Sequence, residues 1–407
     1  MLIRSGEGRG RRFGNGNGNG YGYGYGNGNG MGDGKARGMR LADLDYDLPP
    51  DLIAQAPAPE RDAARLLVLD RATGSRSHRV FRELPGLLRA GDLLVLNDTK
   101  VIPARLVGRW ETGGAVEALL VREVEPGVWD ALLKPAARAR PGRTMTFGAG
   151  DPTAQAEVAG YGGAGRRLIR FRGPVDVRAL MHRHGLVPLP PYIRRPGSRV
   201  QSLKPKVERH EGELGTRDSE LGTEMDRERY QTVYAREEGA IAAPTAGLHL
   251  TESLLEELAA AGIEIRWITL HVGPGTFQPI RARRIAEHRM EAERYVIREG
   301  TGQAVKAARA EGRRVVAVGT TVVRALEQAA LRGGEVQAGP GEADLFIVPG
   351  HRFRVVDALI TNFHLPRSTL LALVAAFAGL GAIRAAYAEA VARRYRFYSY
   401  GDAMLIR

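Results

Sequence analysis

Residues 357–379 read DALITNFHLPRSTLLALVAAFAG, and the fold turns on how this stretch divides. The preceding run, RVVDALIT, is apolar and β-branched, as a strand is. Leu370–Ala378 is almost wholly apolar and reads as a buried helix. Between them stand Thr361, Asn362, Phe363 and His364, then a proline and a Ser-Thr pair. A strand, a short polar turn and a helix capped by Ser368 or Thr369 account for every part of the pattern. The polar groups then sit at the mouth of the greasiest segment in the chain. They either cap the helix or reach something that is not protein.

The same arrangement recurs outward from this point. APTAGLHLT (243–251) precedes a helix that Thr251 caps, with Leu254, Leu255 and Leu258 on one face and Gly262 at its end. IEIRWITLHV follows as a strand and runs into LHVGPGTF (270–277). A helix over 301–312 leads to the buried strand RRVVAVGT, one glycine, and a helix from Thr321 to Arg332. ADLFIVPG (343–350) and RVVDALIT (354–361) read as two further strands, and two helices follow. Alternating β and α elements imply a layered α/β domain. In open α/β sheets the carboxyl ends of the strands form the ligand crevice, where helix N-termini offer N–H groups to anions.

The groups gathered at that edge are Thr245 and His249, then His271, Gly273, Gly275 and Thr276, then Gly319, Thr320 and Thr321, and finally Asn362 and His364. Taken singly, each has a plainer reading. Gly319 turns the chain, GPGT resembles many tight loops, and His249 and His271 suit a core as satisfied histidines. His288 and Glu291, three apart in HRMEAERY, suit a solvated helix face or a strand end. No histidine pair has the HExxH form and no acidic residue accompanies them at ligand spacing, which argues against a metal. Four such loops on one edge point together to a cleft for a small polar ligand.

Upstream, GDLLVLNDTKVIPARLVGR (91–109) continues into AVEALLVREV, VWDALLKPA, RTMTF, AQAEVAG and RRLIRFRG. Short strands parted by Gly- and Pro-rich turns indicate a small antiparallel barrel or sandwich at about 100–175. The chain of 407 residues suits two or three domains. These divide as a first part of the α/β domain at 40–99, the barrel at 100–175, and the rest of the α/β domain at 176–407. Residues 1–39 are a Gly/Asn-rich tail too poor in apolar groups to order, and 197–226, charged with both signs, reads as a mobile insertion.

There is no cysteine, hence no disulfide framework, zinc-thiolate site or thiol nucleophile. The longest apolar run, Leu370–Ile383, holds two glycines and falls short of the roughly 20 residues of a membrane helix. The N-terminus lacks the apolar core of a signal peptide. The expectation is a soluble, cytoplasmic chain, with nothing that demands more than a monomer. The net charge is +13, and residues 1–40 hold seven basic groups against two acidic ones, so most of the charge lies on the body. A basic body fits a polyanion such as RNA, and equally a genome that writes Arg for Lys.

The motifs YQTVYAREEGAIAAPTAGLHLT, ITLHVGPGTFQPI, HRMEAERY, VVAVGTTVVRALE, VDALITNFHLPRSTLLALVAAFAG and YRFYSYGDAMLI closely resemble those of the S-adenosylmethionine:tRNA ribosyltransferase-isomerase family of queuosine biosynthesis. YDLPPDLIAQAPAPERDAARLLVLDR and GDLLVLNDTKVIPARL resemble its N-terminal part. The likeness runs in family order from about Arg40 to the C-terminus. It departs at residues 1–39 and 197–226, at Asp98 where the family commonly has NNT, and at Leu250 where Phe usually follows the histidine.

The resemblance implies an α/β domain with an inserted β-barrel. It also implies transfer and isomerisation of the ribosyl part of S-adenosylmethionine onto 7-aminomethyl-7-deazaguanine in tRNA. The product is epoxyqueuosine, adenine and methionine leave, and no metal or further cofactor is implied. Such chemistry needs a base or proton relay near neutrality. His271 and His364 are candidates, with His249 and His288 as alternates. Thr320, Thr321 and the amide after Gly319 suit an anion or ribose hydroxyls, Asn362 a base, and Arg105 a phosphate or the methionine carboxylate. Tyr400 and Asp402, in YRFYSYGDAM, suit either base stacking or a packed C-terminus. Two other readings remain: a non-catalytic RNA-binding protein, and a methyltransferase using the same S-adenosylmethionine.

Overall fold

The strand in the opening stretch is β16 (Ala358–Asn362), every residue of it buried. The computed structural model describes residues 39–148, 153–195, 224–277, 280, 285–331 and 333–407. The tail through residue 38 and residues 196–223 lie outside the described residues, and so do the readings of disorder and mobility made for them. β16 joins β3 (Leu93–Asn97), β12 (Glu264–Leu270) and β14 (Val315–Val318) in a parallel block, ordered β12-β3-β14-β16. Antiparallel to it run β13 (Glu293–Ile297) beside β12 and β17 (Ala403–Ile406) beside β16. β15 (Gly339–Ala343) pairs with β13, while β1 (Arg65–Leu69) and β2 (Arg76–Val80) close the other side of a nine-stranded sheet.

Alternation in these strands feeds two cores, because successive side chains of a strand point to opposite faces. Leu93, Val95, Val315 and Ala317 join one core; Leu94, Leu96, Val316 and Val318 join the other. The first core is covered by α3 (Glu299–Ala310), α4 (Thr320–Ala329), α5 (Thr369–Ala378) and α6 (Leu380–Ala392). The second is covered by α2 (Glu252–Ala260) through Leu254 and Leu258. α2 and α5 start where their caps dictate: Thr251 accepts from Leu254 N at 3.1 Å and Ser368 from Leu371 N at 3.2 Å. The α5–α6 pair bends by 114°, and no single described helix is long and apolar enough to cross a membrane.

The barrel is closed. It comprises β5 (Arg105–Trp110), β6 (Ala115–Glu125), β7 (Val128–Lys134), β8 (Thr144–Phe147), β9 (Ala154–Tyr161) and β10 (Arg167–Phe171), ordered β10-β7-β6-β5-β8-β9. Trp110, Trp129, Phe147 and Phe171 fill it. The helix α1 (Val177–His184), capped by Asp176, follows at once and had no clear signal in the sequence. A separate two-stranded ribbon pairs β4 (Thr99–Val101) with β11 (Glu237–Ala240), in parallel.

Three element readings need correction. Only Ala343 of ADLFIVPG is in a strand, because side chains of α4 take the backbone partners beyond it. Leu345 N donates to Gln328 Oε1 at 3.0 Å and Leu345 O accepts from Arg324 Nε at 3.3 Å. Similarly RVVDALIT becomes strand only from Ala358. The buried carboxylate of Glu327 accepts the N–H groups of Arg354, Val355 and Val356 at 2.9, 3.0 and 3.1 Å. Lastly, the charged insertion ends before residue 226: residues 224–229 are helical, and Asp226 is buried in an ion pair with Arg195 at 2.7 Å.

Candidate active site

The carboxyl ends of β12, β3, β14 and β16 share one edge, so the four polar turns lie in a row. The edge splits into an open cluster and a sealed one. The open cluster borders a cleft of about 980 Å³ between the barrel wall (Arg122, Trp129, Asp130, Arg166) and the sheet edge (His271, Gly273, Glu293, Tyr295). Gly275 also lines it, and Thr276 belongs to the same turn, Pro274–Phe277.

His271 leaves β12 half-buried, and its Nδ1 lies 2.9 Å from the Thr99 hydroxyl. That hydroxyl points its own proton at the Glu237 carbonyl, 3.4 Å away. Its oxygen is therefore free to accept from Nδ1–H, which leaves the Nε2 lone pair as the basic atom. Gly239 lies flat against the ring, where a Cβ would come within 2.9 Å of it. Burial, aided by nearby Arg294, lowers the His271 pKa below the usual 6.5.

Two side chains fix the turn that carries this histidine. Asn97 imitates a strand: its Oδ1 accepts from Leu270 N at 2.9 Å and its Nδ2 donates to Leu270 O at 3.0 Å. Asp98 is fully buried and accepts from Thr269 at 2.6 Å and Arg298 at 2.8 Å. Under the cleft, Glu293 Oε1 accepts from Gly273 N at 2.9 Å, and its other oxygen meets Arg324 Nη1. Arg324, reaching from α4, also donates to Ala343 O at 2.6 Å. Arg166 crosses the cleft, 2.8 Å from Asp130 on the barrel and 3.0 Å from Glu291 beside β13.

The sealed cluster holds His249 and His364. His249 packs on Phe81, and its Nε2 lies 3.2 Å from Asn362 Nδ2, which also donates to Tyr398 O at 3.1 Å. Asn362 Oδ1 is buried with no partner among the described residues. His364 Nε2 meets the Thr361 hydroxyl at 2.8 Å, its N–H donates to Tyr387 OH at 2.9 Å, and its carbonyl accepts from Tyr46 OH at 2.6 Å. Burial drives the pKa of His249 down to about 4 and that of His364 to about 3.

The remaining candidates scatter. Thr320 and Thr321 open α4, both buried, behind Gly319 whose φ of +95° suits only glycine well. Thr245 starts a single turn, Thr245–His249. His288 stacks edge-on against Phe346, and burial lowers its pKa. Arg105 donates to Leu189 O at 2.9 Å, away from the cleft lining. Asp402 binds Arg65 N and Arg396 N at 3.0 and 2.8 Å, and Tyr400 OH donates to Asp226 at 3.2 Å. The residues that sequence reasoning did not single out are Gly239, Glu293 and Arg166 on the cleft wall, with Thr99 and Arg324 behind them. All stand inside quoted stretches, but nothing in the sequence says that they gather round one space. Among the described residues no group of three His, Asp or Glu is placed to hold a metal.

Such a site, a polar cleft on the carboxyl edge of a parallel sheet and roofed by a barrel, belongs to an α/β protein built to bind a substantial polar substrate. The queuosine biosynthesis protein family model matches residues 41–406, and the chain belongs to that family. It is 51% identical to the S-adenosylmethionine:tRNA ribosyltransferase-isomerase of Anaeromyxobacter sp., over 90% of this chain and 99% of that one. The enzyme of the same name from Symbiobacterium thermophilum is 50% identical over 90% of this chain and 100% of its own. The crystal structure of an S-adenosylmethionine tRNA ribosyltransferase from Thermotoga maritima is 37% identical, covering 90% of this chain and 100% of that one, with a TM-score of 0.48.

Proposed function

We propose that this chain transfers and isomerises the ribosyl part of S-adenosylmethionine onto 7-aminomethyl-7-deazaguanine in tRNA, releasing adenine and methionine. The observation that carries the reading is the 51% identity with an enzyme of that name over nearly the full length of both chains. The cleft fits the chemistry. Its lining holds six carboxylates, Glu123, Asp130, Glu238, Glu291, Glu293 and Glu342, against four arginines. Arg324 and Lys100, outside the lining, pair with Glu293 and Glu238, so the wall offers individual carboxylates to a sulfonium and an ammonium rather than a net negative field.

His271 acts as the base. Its Nε2 takes a proton from the 5′ carbon beside the sulfonium. The pair left there forms the C4′–C5′ double bond as the C4′–O bond breaks, the ring oxygen becomes the C1′ carbonyl, and adenine leaves C1′ with the proton the imidazolium returns. The aminomethyl nitrogen adds to C4′ and gives up a proton to solvent. The ylide re-formed at C5′ closes on the C1′ carbonyl, and the resulting alkoxide displaces methionine from C5′ to form the epoxide. Gly273, Gly275 and Thr276 shape the wall beside His271, whereas Thr320, Thr321 and Asn362 are buried off the cleft lining and support the edge from behind. His249 and His364, neutral and engaged, position this edge rather than exchange protons. The reading needs no metal or further cofactor, and it takes the chain as a cytoplasmic monomer.

The test is product analysis with tRNA carrying the deazaguanine precursor. Adenine and methionine in equal amounts support the reading. S-Adenosylhomocysteine replaces it with a methyltransferase, and the absence of all three leaves a binding protein.

A further inference from the structure

The sealed cluster has a charged rim that the cleft chemistry does not use. Arg61, Arg229 and Arg396 come from three separate segments, and each spends its guanidinium on backbone carbonyls. Arg61 donates to Leu248 O at 3.2 Å and Glu228 O at 3.0 Å; Arg229 donates to Ala58 O at 2.6 Å and Pro59 O at 3.1 Å. Arg396 donates to Ala56 O. None has a carboxylate within ion-pair distance among the described residues. The nearest acids are committed or turned away: Asp402 is filled by Arg65 and the Arg396 N–H, and Glu228 is exposed.

The deeper arginines behave otherwise. Arg166, Arg195, Arg314 and Arg324 are all matched with carboxylates. Burial weighs first against the charge on Arg61, then the neighbouring Arg229, with Glu228 offsetting part of this; on Arg396 burial is opposed by Asp402. Like charges partly removed from water and without a bonded carboxylate are a cost that an anion would relieve. Arg61 and Arg229 also border a hollow of about 20 Å³ beside His249 and Tyr400, about the room that one oxygen-sized group fills.

We propose that Arg61 and Arg229 form a clamp for one backbone phosphate of the tRNA, with a non-bridging oxygen seated at the hollow they both border. The guanidinium forks are suited to a phosphate by shape as well as charge. The clamp stands near the ends of β16 and β17, while His271 ends β12. At about 4.8 Å per strand this puts roughly 15–20 Å between them, so the clamped phosphate flanks the reacting nucleotide rather than belonging to it. This rests on the tRNA reading above and adds to it the place where the backbone is held.

Filter binding of tRNA between 50 and 200 mM salt tests the clamp. In R61Q/R229Q the affinity at the low-salt end falls at least tenfold, and the slope of log affinity against log salt becomes shallower by about one. R61K/R229K keeps the slope and loses only part of the affinity. On the unaltered protein, phenylglyoxal labelling followed by mass spectrometry reads the same contact: saturating tRNA protects Arg61 and Arg229, and S-adenosylmethionine does not. Wild-type slope and affinity in a normally melting R61Q/R229Q, or equal labelling with and without tRNA, overturns the clamp. So does weakened S-adenosylmethionine binding with tRNA binding intact, since the oxyanion would then be the methionine carboxylate. Wild-type protein that binds tRNA without releasing adenine sinks the reaction reading, not the clamp.

Discussion

His271 and His364 leave parallel strands of one sheet at the same edge, yet they live in different chemical worlds. His271 has Nδ1 held by Thr99, no partner for Nε2 among the described residues, and a cleft of about 980 Å³ before it. His364 is buried, with Nε2 bonded to Thr361 and both backbone groups engaged by Tyr46 and Tyr387. Burial lowers both pKa values, but only the second reaches about 3, where the ring stays neutral at any working pH. Residue type and position on the fold do not separate a reacting group from a strut. Access does.

The contrast breaks most directly at His271. His271→Ala should slow adenine release 100- to 10,000-fold, roughly 3–5 kcal/mol of barrier, with the melting temperature little changed. Early melting with a normal rate per folded molecule would make it a strut as well. Under the same cleft the opposite is expected of Arg324. Arg324→Met removes the cation beside the buried Glu293 carboxylate and should cost about 3–5 kcal/mol of stability. Adding Glu293→Gln should restore much of that loss, which a double-mutant cycle by denaturant unfolding checks. Additive losses would mean that the two groups do not work as a pair.

Acid sharpens the comparison for the sealed pair. Unfolded imidazoles titrate near 6.5, whereas folded His249 and His364 stay neutral down to about 4 and about 3. Below pH 6.5 the unfolded chain therefore binds more protons, and the stability they contribute, complete above 6.5, drains as pH falls toward 4. Two such groups set a slope of about 2.7 kcal/mol per pH unit near pH 5. Guanidinium unfolding at pH 7, 6 and 5 measures it, and replacing His364 should remove about half.

His364→Ala itself should cost about 1–3 kcal/mol at neutral pH by abandoning Thr361 and the space the ring fills, while adenine release per folded molecule stays normal. A steep loss of rate without loss of stability would return His364 to the reacting centre. The smallest effect belongs to Tyr400→Phe. It gives up one hydrogen bond to Asp226, itself already paired with Arg195, and should cost about 0.5–1.5 kcal/mol on thermal unfolding.

Much of the architecture could be read from residues 357–379 and their repeats, because hydrophobic period and helix caps are local facts. The strand of β14, the caps at Thr251 and Ser368, and the barrel strands all have signals within a few residues. The two misjudged strands, at 343–350 and 354–361, failed for one reason. Their apolar run is real, but Gln328, Arg324 and Glu327 on α4 take the hydrogen bonds a neighbouring strand would have taken. The site divided likewise. HVGPG and NFH were visible as polar turns, while the bond from Thr99 to His271 spans 172 residues and no spacing rule reaches it.

The sequence by itself determined the layered α/β class, the inserted barrel, the family, and the edge on which the polar turns gather. Those follow from period, caps and motif, which survive in one dimension. Tertiary structure alone decided which histidine faces open space, which carboxylate lies under the cleft, and which arginines go without a carboxylate among the described residues. Such properties depend on the distances and solvent access that folding creates between residues far apart in the chain. Four histidines that look interchangeable in sequence are therefore sorted only when the fold brings Thr99 and Gly239 against one of them, closes Phe81 over a second and buries a third against Thr361.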